Sequence, residues 1–278
     1  VKQNLIFSRR ADNGIMSAED IMQRAPSVFA EDKSERLTSR YHSLNTSDLL
    51  PVLADYGYFP VQAAQKRARK GEQRHAAHML AFAKGNAEQG EDLRSEIIAY
   101  NSHDGTSGVK LFAGAYRFIC SNGIIAGEGF KANVRHTHRA MAGFEEMLQG
   151  IITSLPKMMD TIAALRQRRM DYDEAKELAT KAVQLRWDYI EGVYVPDDTP
   201  KGTYATLSTV RDAMSCQRRE DDAFDAWTVL NRIQENIVRG NVMVRSITDR
   251  SQGERKARPI ASIQEHVRVN QQLFDMVV

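Results

Sequence analysis

Hydrophobic and polar positions along this chain fall into three regimes with different periods. Residues 1–15 are polar and mixed, an arm ahead of two short helices. The first helix is predicted from SAEDIMQRAPSVF. Ser17 is its cap, Glu19 and Asp20 lie in the first turn where the helix dipole favours anions, and Pro26 stands past its end. Residues 30–42 carry charges of both signs without an apolar period and read as a loop. The second helix is predicted over 44–57, with Ser47 or Thr46 as cap, Asp48 in the first turn, Pro51 early enough to be tolerated and Gly57 as its stop.

From residue 58 the period becomes two. Tyr58, Pro60, Gln62 and Ala64 alternate with Phe59, Val61 and Ala63, which predicts a strand leading into a basic cluster. Residues 75–84 predict the returning strand, although their alanines suit a helix equally. Residues 96–100 predict a third strand, 109–120 a fourth or a strand passing into a short helix around Gly114, and 133–136 a fifth. Neighbouring strands with short turns predict an antiparallel sheet rather than alternating βαβ units.

From Ala140 the pattern is helical. Met141, Phe144, Leu148, Ile151, Leu155, Met158, Ile162 and Leu165 recur three or four apart, a long amphipathic helix with one seam and a kink expected at Pro156. A helix of about thirty residues is roughly 45 Å long, so the seam either wraps the sheet or packs against another subunit. Asp171 or Asp173 caps a further helix, residues 203–239 predict one or two more with a charged break at 218–222, residues 240–259 are basic and flexible, and 260–278 are helical. The expected class is α+β. An N-terminal antiparallel sheet domain with short helices occupies 1–139, and a mainly helical region built on the long helix occupies 140–278.

Composition narrows the function classes. At 278 residues the chain buries a full core without disulfides or a structural metal. A formal net charge of +2 excludes a strongly basic coating protein and an acidic mimic of DNA, so any nucleic-acid face is local. Cys120 and Cys216 are far apart with no CxxC pair, and no window nears the roughly eighteen apolar residues of a membrane span. A soluble protein in a reduced cytoplasmic setting is expected, with no membrane association and no cofactor.

The densest chemistry lies in residues 97–139. Asp104-Gly105, between His103 and Thr106, has the makings of a tight turn in which Gly supplies positive φ and Asp or Thr bonds neighbouring backbone. Alternatively Asn101, His103, Asp104 and Thr106 line a cleft and contact phosphate or a base edge. Cys120-Ser121-Asn122-Gly123 suits a buried cysteine before a type I′ turn; a catalytic thiol there requires His103 or His136 to be brought to it by folding. His136 and His138 share a face if they lie on a strand, but zinc takes three or four ligands, and neither CxxC nor HExxH is present. With Lys131, Arg135 and Arg139 around them, the better reading is an anion-binding face without metal. Gly123, Gly127 and Gly129 lack the Lys-Ser/Thr of a phosphate loop, which leaves nucleotide hydrolysis unsupported. Basic residues gather in three stretches: Lys66, Arg67, Arg69, Lys70 and Arg74; Lys131, Arg135 and Arg139; and Arg239 through Arg258. A charge run is usually a solvated face, but two of these flank a sheet rich in Tyr and Phe, the makings of a groove with stacking platforms.

The run Asn101-Ser102-His103-Asp104-Gly105-Thr106-Ser107, with Phe112, Arg117 and Cys120-Ser121-Asn122-Gly123, resembles the phage/plasmid-like family built on domain of unknown function 932. His136, His138, Arg218-Arg219-Glu220-Asp221, Trp227, Gln234-Glu235-Asn236 with Gly240, and Ala25-Pro26-Ser27-Val28-Phe29 extend the resemblance over nearly the whole chain, to the plasmid- and prophage-borne branch. The resemblance implies carriage on mobile elements, often near genes for single-strand DNA binding or anti-restriction; it assigns no activity.

Together these readings predict a nucleic-acid-binding protein of a mobile element, acting on single-stranded DNA and serving binding or annealing, more an interaction protein than an enzyme. Lys66, Arg67, Arg69, Lys70, Arg135 and Arg139 capture the strand, Asn101, His103, Asp104 and Thr106 position it, and Arg117, Asn122, His136 and His138 complete the set. Two alternatives stand beside this one. The first is a factor that counters a host defence system by meeting a host protein through its helical half; homo-oligomer formation is a separate expectation from the uncovered seam. The second is a metal-dependent enzyme acting on nucleic acid through His103, Asp104, His136 and His138.

Overall fold

A computed structural model describes residues 14–32, 34, 37, 41–66, 73–85, 93–117, 122–125, 131–191, 199–248 and 251–278. Helix α1 (Ala18–Arg24) opens as its sequence dictates. The Ser17 hydroxyl accepts from the Asp20 amide at 3.1 Å, and the Asp20 carboxylate accepts from the Ser17 amide at 3.0 Å, a reciprocal capping box. A 3-10 turn at Pro26–Phe29 follows. Helix α2 (Thr46–Asp55) instead starts after Asn45 with no side-chain cap bond, because the Thr46 hydroxyl is drawn to a more distant partner. Gly57, at φ +79°, ends it.

Six strands then form an antiparallel sheet: β1 (Tyr58–Gln65), β2 (His78–Lys84), β3 (Leu93–Asn101), β4 (Val109–Arg117), β5 (Asn122–Ile125) and β6 (Lys131–Val134). The order is β1-β2-β3-β4, and both β5 and β6 pair with β4. Strand β5 lies along residues 114–117 and β6 along 109–112, so two four-residue strands share the outer position end to end. Residues 78–84 are strand, not helix, and β4 passes through Gly114 without breaking. A Cβ at Gly114 would lie 2.6 Å from Ile98 Cδ1, so the glycine admits close packing of β3. Asn122 and Gly123 pair with Arg117 and Tyr116 inside β5; they do not form the expected turn. Residues 118–121, with Cys120, lie outside the described residues.

Both faces of this sheet are largely buried along β2, β3 and β4. Met79, Ala81, Ile98, Tyr100 and Phe112 on one face join Ile263 and Val267, while Leu80, Phe82, Ile97, Leu111 and Ala113 on the other are equally inaccessible. A strand buried on both faces has no reason to alternate apolar and polar residues, which explains its ambiguous pattern. Helix α3 (Ala140–Gln167) runs continuously through Pro156 and buries Phe144, Leu148, Ile151, Leu155, Met158, Ile162 and Leu165 within the chain.

Residues 1–159 with 261–267 form one compact unit, and residues 160–260 with 268–278 form a second. The second unit contains α4 (Tyr172–Gln184), capped by Asp171 through another capping box with Glu174, then β7 (Asp188–Tyr189), β8 (Gly202–Ala205), α5 (Leu207–Ala213), α6 (Ala226–Arg239), β9 (Met243–Ile247) and β10 (Gln252–Lys256). Helix α7 (Ile263–Asp275) contributes residues to both units. A second sheet of order β10-β9-β8-β7 thus occupies stretches expected to be helical or flexible. Residues 240–259 build the β9–β10 pair because backbone hydrogen bonding needs no apolar side chain.

Helix α6 is buried along almost its whole length. Arg218 clamps Glu235 with bonds of 2.6 and 2.8 Å and reaches Asp221 at 2.8 Å, while Arg239 meets Glu235 at 2.7 Å. Asn236 Nδ2 donates to the carbonyls of Asp212, Ala213 and Ser215, which satisfies the end of α5. The charged cluster 218–221 and the polar run 234–236 are therefore internal ties of the second unit. No helix among the described residues is long and apolar enough to cross a membrane.

Candidate functional site

Strand register aligns Gln65, His78 and Asn101 in one row across β1, β2 and β3. Cross-strand partners share a face, so this end of the sheet closes with polar side chains. His78 is fully buried and takes hydroxyls at both ring nitrogens, Ser27 Oγ at 2.8 Å from Nδ1 and Thr46 Oγ1 at 2.7 Å from Nε2. Asn101 Nδ2 donates to Thr46 Oγ1 at 2.9 Å and to the Leu44 carbonyl at 3.0 Å. The Ser27 amide donates to Gln65 Oε1 at 2.8 Å, and the carboxamide of Gln65 donates to the Gln73 carbonyl.

Two further histidines enter from loops. His103, after β3, is also buried and lies 3.2 Å from Ser43 Oγ through Nδ1; its amide donates to the His75 carbonyl. His136, just past β6, accepts from the Leu44 amide at Nδ1, 3.0 Å away. The rings of His78 and His103 are 5.4 Å apart, those of His103 and His136 6.3 Å, and Tyr41 lies 4.9 Å from His136. Burial pushes His78 down to about 4, and burial reinforced by the neighbouring imidazoles pushes His103 down to about 3. His136 is lowered by burial as well. Tyr41 is pushed up to about 12 by burial, then by the charge of Asp104. These imidazoles are neutral, and the cluster is a hydrogen-bonded polar core that ties residues 41–46 to the sheet.

The Asp104-Gly105 turn forms as local chemistry predicts. Gly105 sits at φ +80°, and Asp104 Oδ1 accepts from the Thr106 amide at 2.9 Å and from its hydroxyl at 2.6 Å. Burial raises the Asp104 carboxyl, but hydrogen bonds from Thr106 and Ser102 and the charge of Lys66 bring it below its ordinary value.

The predicted residues therefore separate into groups. Asn101 and His103 are buried under residues 41–46, with His136 beside them half-buried. Lys66, Thr106, Arg135, His138 and Arg139 are exposed around the same end of the sheet, with Asp104 half-buried among them. His136 and His138 do not act as a pair: His136 turns to Leu44, while His138 faces His42 at 6.2 Å. Arg117 is buried at the far end of β4 and pairs with Asn122, roughly 25 Å from the turn at 3.3 Å per residue. Arg67, Arg69 and Lys70 lie outside the described residues. Among the described residues no group of three or more His, Cys, Asp or Glu is arranged to hold a metal ion. Cys216 is exposed, its sulfur 3.2 Å from the Asp221 carbonyl and 3.0 Å from Arg232 Nη1.

Sequence reasoning missed His78, Ser27, Ser43 and Thr46. One signal was present: a histidine at the head of the otherwise apolar run MLAFA needs buried partners. Those partners are 51 and 32 residues away, beyond any local pattern.

Two relatives align over most of the chain. UPF0380 protein YafZ and UPF0380 protein YfjQ, both of Escherichia coli (strain K12), are each 31% identical over 268 residues, covering 94% of this chain and 90% of the relative. No solved structure matches. The family model for domain of unknown function DUF932 matches residues 34–274, nearly all of both compact units, and the chain belongs to the DUF932 family.

Proposed function

We propose that this protein binds single-stranded nucleic acid along the basic rim beside the histidine cluster, in the service of a mobile element. One observation carries the reading. Arg135 and Arg139 are exposed on either side of His138, and among the described residues neither is joined to a carboxylate. Lys131 and Asn133 continue the exposed positions along β6. Positive side chains spaced along an edge strand and the turn that follows it suit a flexible phosphate backbone, which gains affinity by releasing counterions. The same residues also suit protection of a sheet edge against aggregation; the two roles differ in what a polyanion does.

The test is fluorescence anisotropy of a labelled single-stranded oligonucleotide at two salt concentrations, using the wild type and the double variant R135E/R139E. Both positions are exposed, so folding is retained. Affinity is expected to fall at least about tenfold, with the salt slope reduced by about 0.7 for each phosphate that is no longer neutralised. Unchanged affinity and slope in the double variant overturn the proposal.

A further inference from the structure

The bonds that hold residues 41–46 on the sheet have a direction. The Ala76 carbonyl beside His78 Nδ1 can only accept, so His78 Nε2 is the lone pair that accepts from the Thr46 hydroxyl, whose oxygen accepts in turn from Asn101 Nδ2. His78 then carries its proton on Nδ1, facing the Ala76 carbonyl at 3.1 Å and Ser27 Oγ. The Leu44 amide donates to His136 Nδ1, which leaves that ring's proton on Nε2, near the carbonyls of Ser102 and Ser107 without completing a hydrogen bond. Two attachments of the segment thus end on imidazole lone pairs. Protonation fills both. A hydroxyl can rotate to accept instead, but the Leu44 amide has no other role than donor, and an N–H at His136 Nδ1 would meet it head-on.

We propose that residues 41–46 are a strap that releases when the histidines beneath it take up protons, uncovering Asn101 and His103 beside the basic rim. His136 is the trigger, being half-buried where His78 and His103 are inaccessible. The groups around it set when it fires. His103 faces it from the loop after β3 and His78 from β2, Tyr41 from the strap itself, and Arg135, His138 and Arg139 adjoin it in the chain; none carries a negative charge that would favour a further proton. Asp104 is the carboxylate on the opposing side, and its own charge is shared with Lys66; His75 is bound to Asp32 at 3.3 Å. Buried, mutually adjacent imidazoles accept protons only by leaving this arrangement, so uptake and release of the strap are one event. The strap stands whether or not the rim binds nucleic acid.

Hydrogen exchange of the full chain, corrected for intrinsic rates, tests it between pH 7.5 and pH 5. Protection of the Leu44 and Asp48 amides is expected to fall about tenfold per pH unit for each histidine that titrates, while Leu80 and Ile98 in β2 and β3 stay protected. His136→Asn keeps an acceptor near the Nδ1 position but does not titrate, and its strap protection should fall by one factor of ten per pH unit less than that of the wild type. Strap amides no less protected than Leu80 and Ile98 at pH 5, or a pH dependence in H136N equal to that of the wild type, overturns the proposal. Should H136N fail to fold, the wild type decides alone: the His136 ring resonance must titrate with the midpoint of strap release, and separate midpoints overturn it.

Discussion

Gly240 shows how one residue can be fixed by a distant one. It ends α6 at φ +71°, a left-handed cap, and a Cβ there would lie 2.5 Å from the Ala257 carbonyl oxygen and 2.9 Å from Pro259 N. Gly57 has nearly the same backbone, at φ +79°, but open space around it. Gly57→Ala is therefore expected to cost about 1 kcal/mol from backbone strain alone, and Gly240→Ala about 3 kcal/mol because a clash with backbone is added. Urea denaturation of the two variants checks this; equal costs would show that the close approach is relieved at no expense. The turn at Gly105 and the cap at Ser17 are legible in the sequence because each is satisfied within three residues. Thr46 has the sequence context of a cap and is instead a partner of His78, because its hydroxyl is buried against an imidazole that needs a hydrogen-bond partner.

Among the elements, the helices are more legible than the strands. Helix α4 announces itself by Asp171 and Glu174, and α3 by its seam, which the chain covers internally. The β9–β10 pair has the sequence of a flexible basic stretch because the β10 positions are mostly exposed and charged, so hydropathy is silent about them. Helix α6 inverts the usual rule by burying Arg232, Gln234, Glu235 and Asn236 together with its apolar residues. Each of these is placed against a specific partner, and Glu235 depends on Arg218 most. Arg218→Ala would leave Asp221 and Glu235, whose side chains are 3% and 4% exposed, without their bidentate donor, although Arg239 still reaches Glu235. A loss of about 3 kcal/mol is expected, at the low end for breaking a buried pair because Arg218 is itself a quarter exposed. Denaturant unfolding followed by tryptophan fluorescence measures it, and a loss below about 1 kcal/mol would mean that the clamp is dispensable.

At the scale of the whole molecule, buried histidines make stability depend on pH. His78 is held down at about 4 and His103 and His266 at about 3, against an ordinary value near 6.5. Below pH 6.5 the unfolded chain binds protons that the folded chain refuses, so stability is complete above that pH and falls as pH drops toward the folded values. Each such histidine is expected to cost about 2 kcal/mol between pH 7.5 and pH 5. A urea midpoint that stays constant over that range would contradict it. Caps, turns and amphipathic seams are satisfied by near neighbours, so the class, most helix starts and the turn at Gly105 can be read from the chain alone. Family membership was legible for a similar reason, since its motifs are short runs of residues. Which candidate residues meet depends on contacts between distant parts of the chain. The tertiary structure gathered Ser27, Thr46, His78, Asn101, His103 and His136 into one buried cluster, sent Arg117 and Asn122 to the far end of β4, and left Arg135 and Arg139 on the surface. Strand register and burial on both faces of a sheet produce that sorting, and neither leaves a periodic trace in the chain.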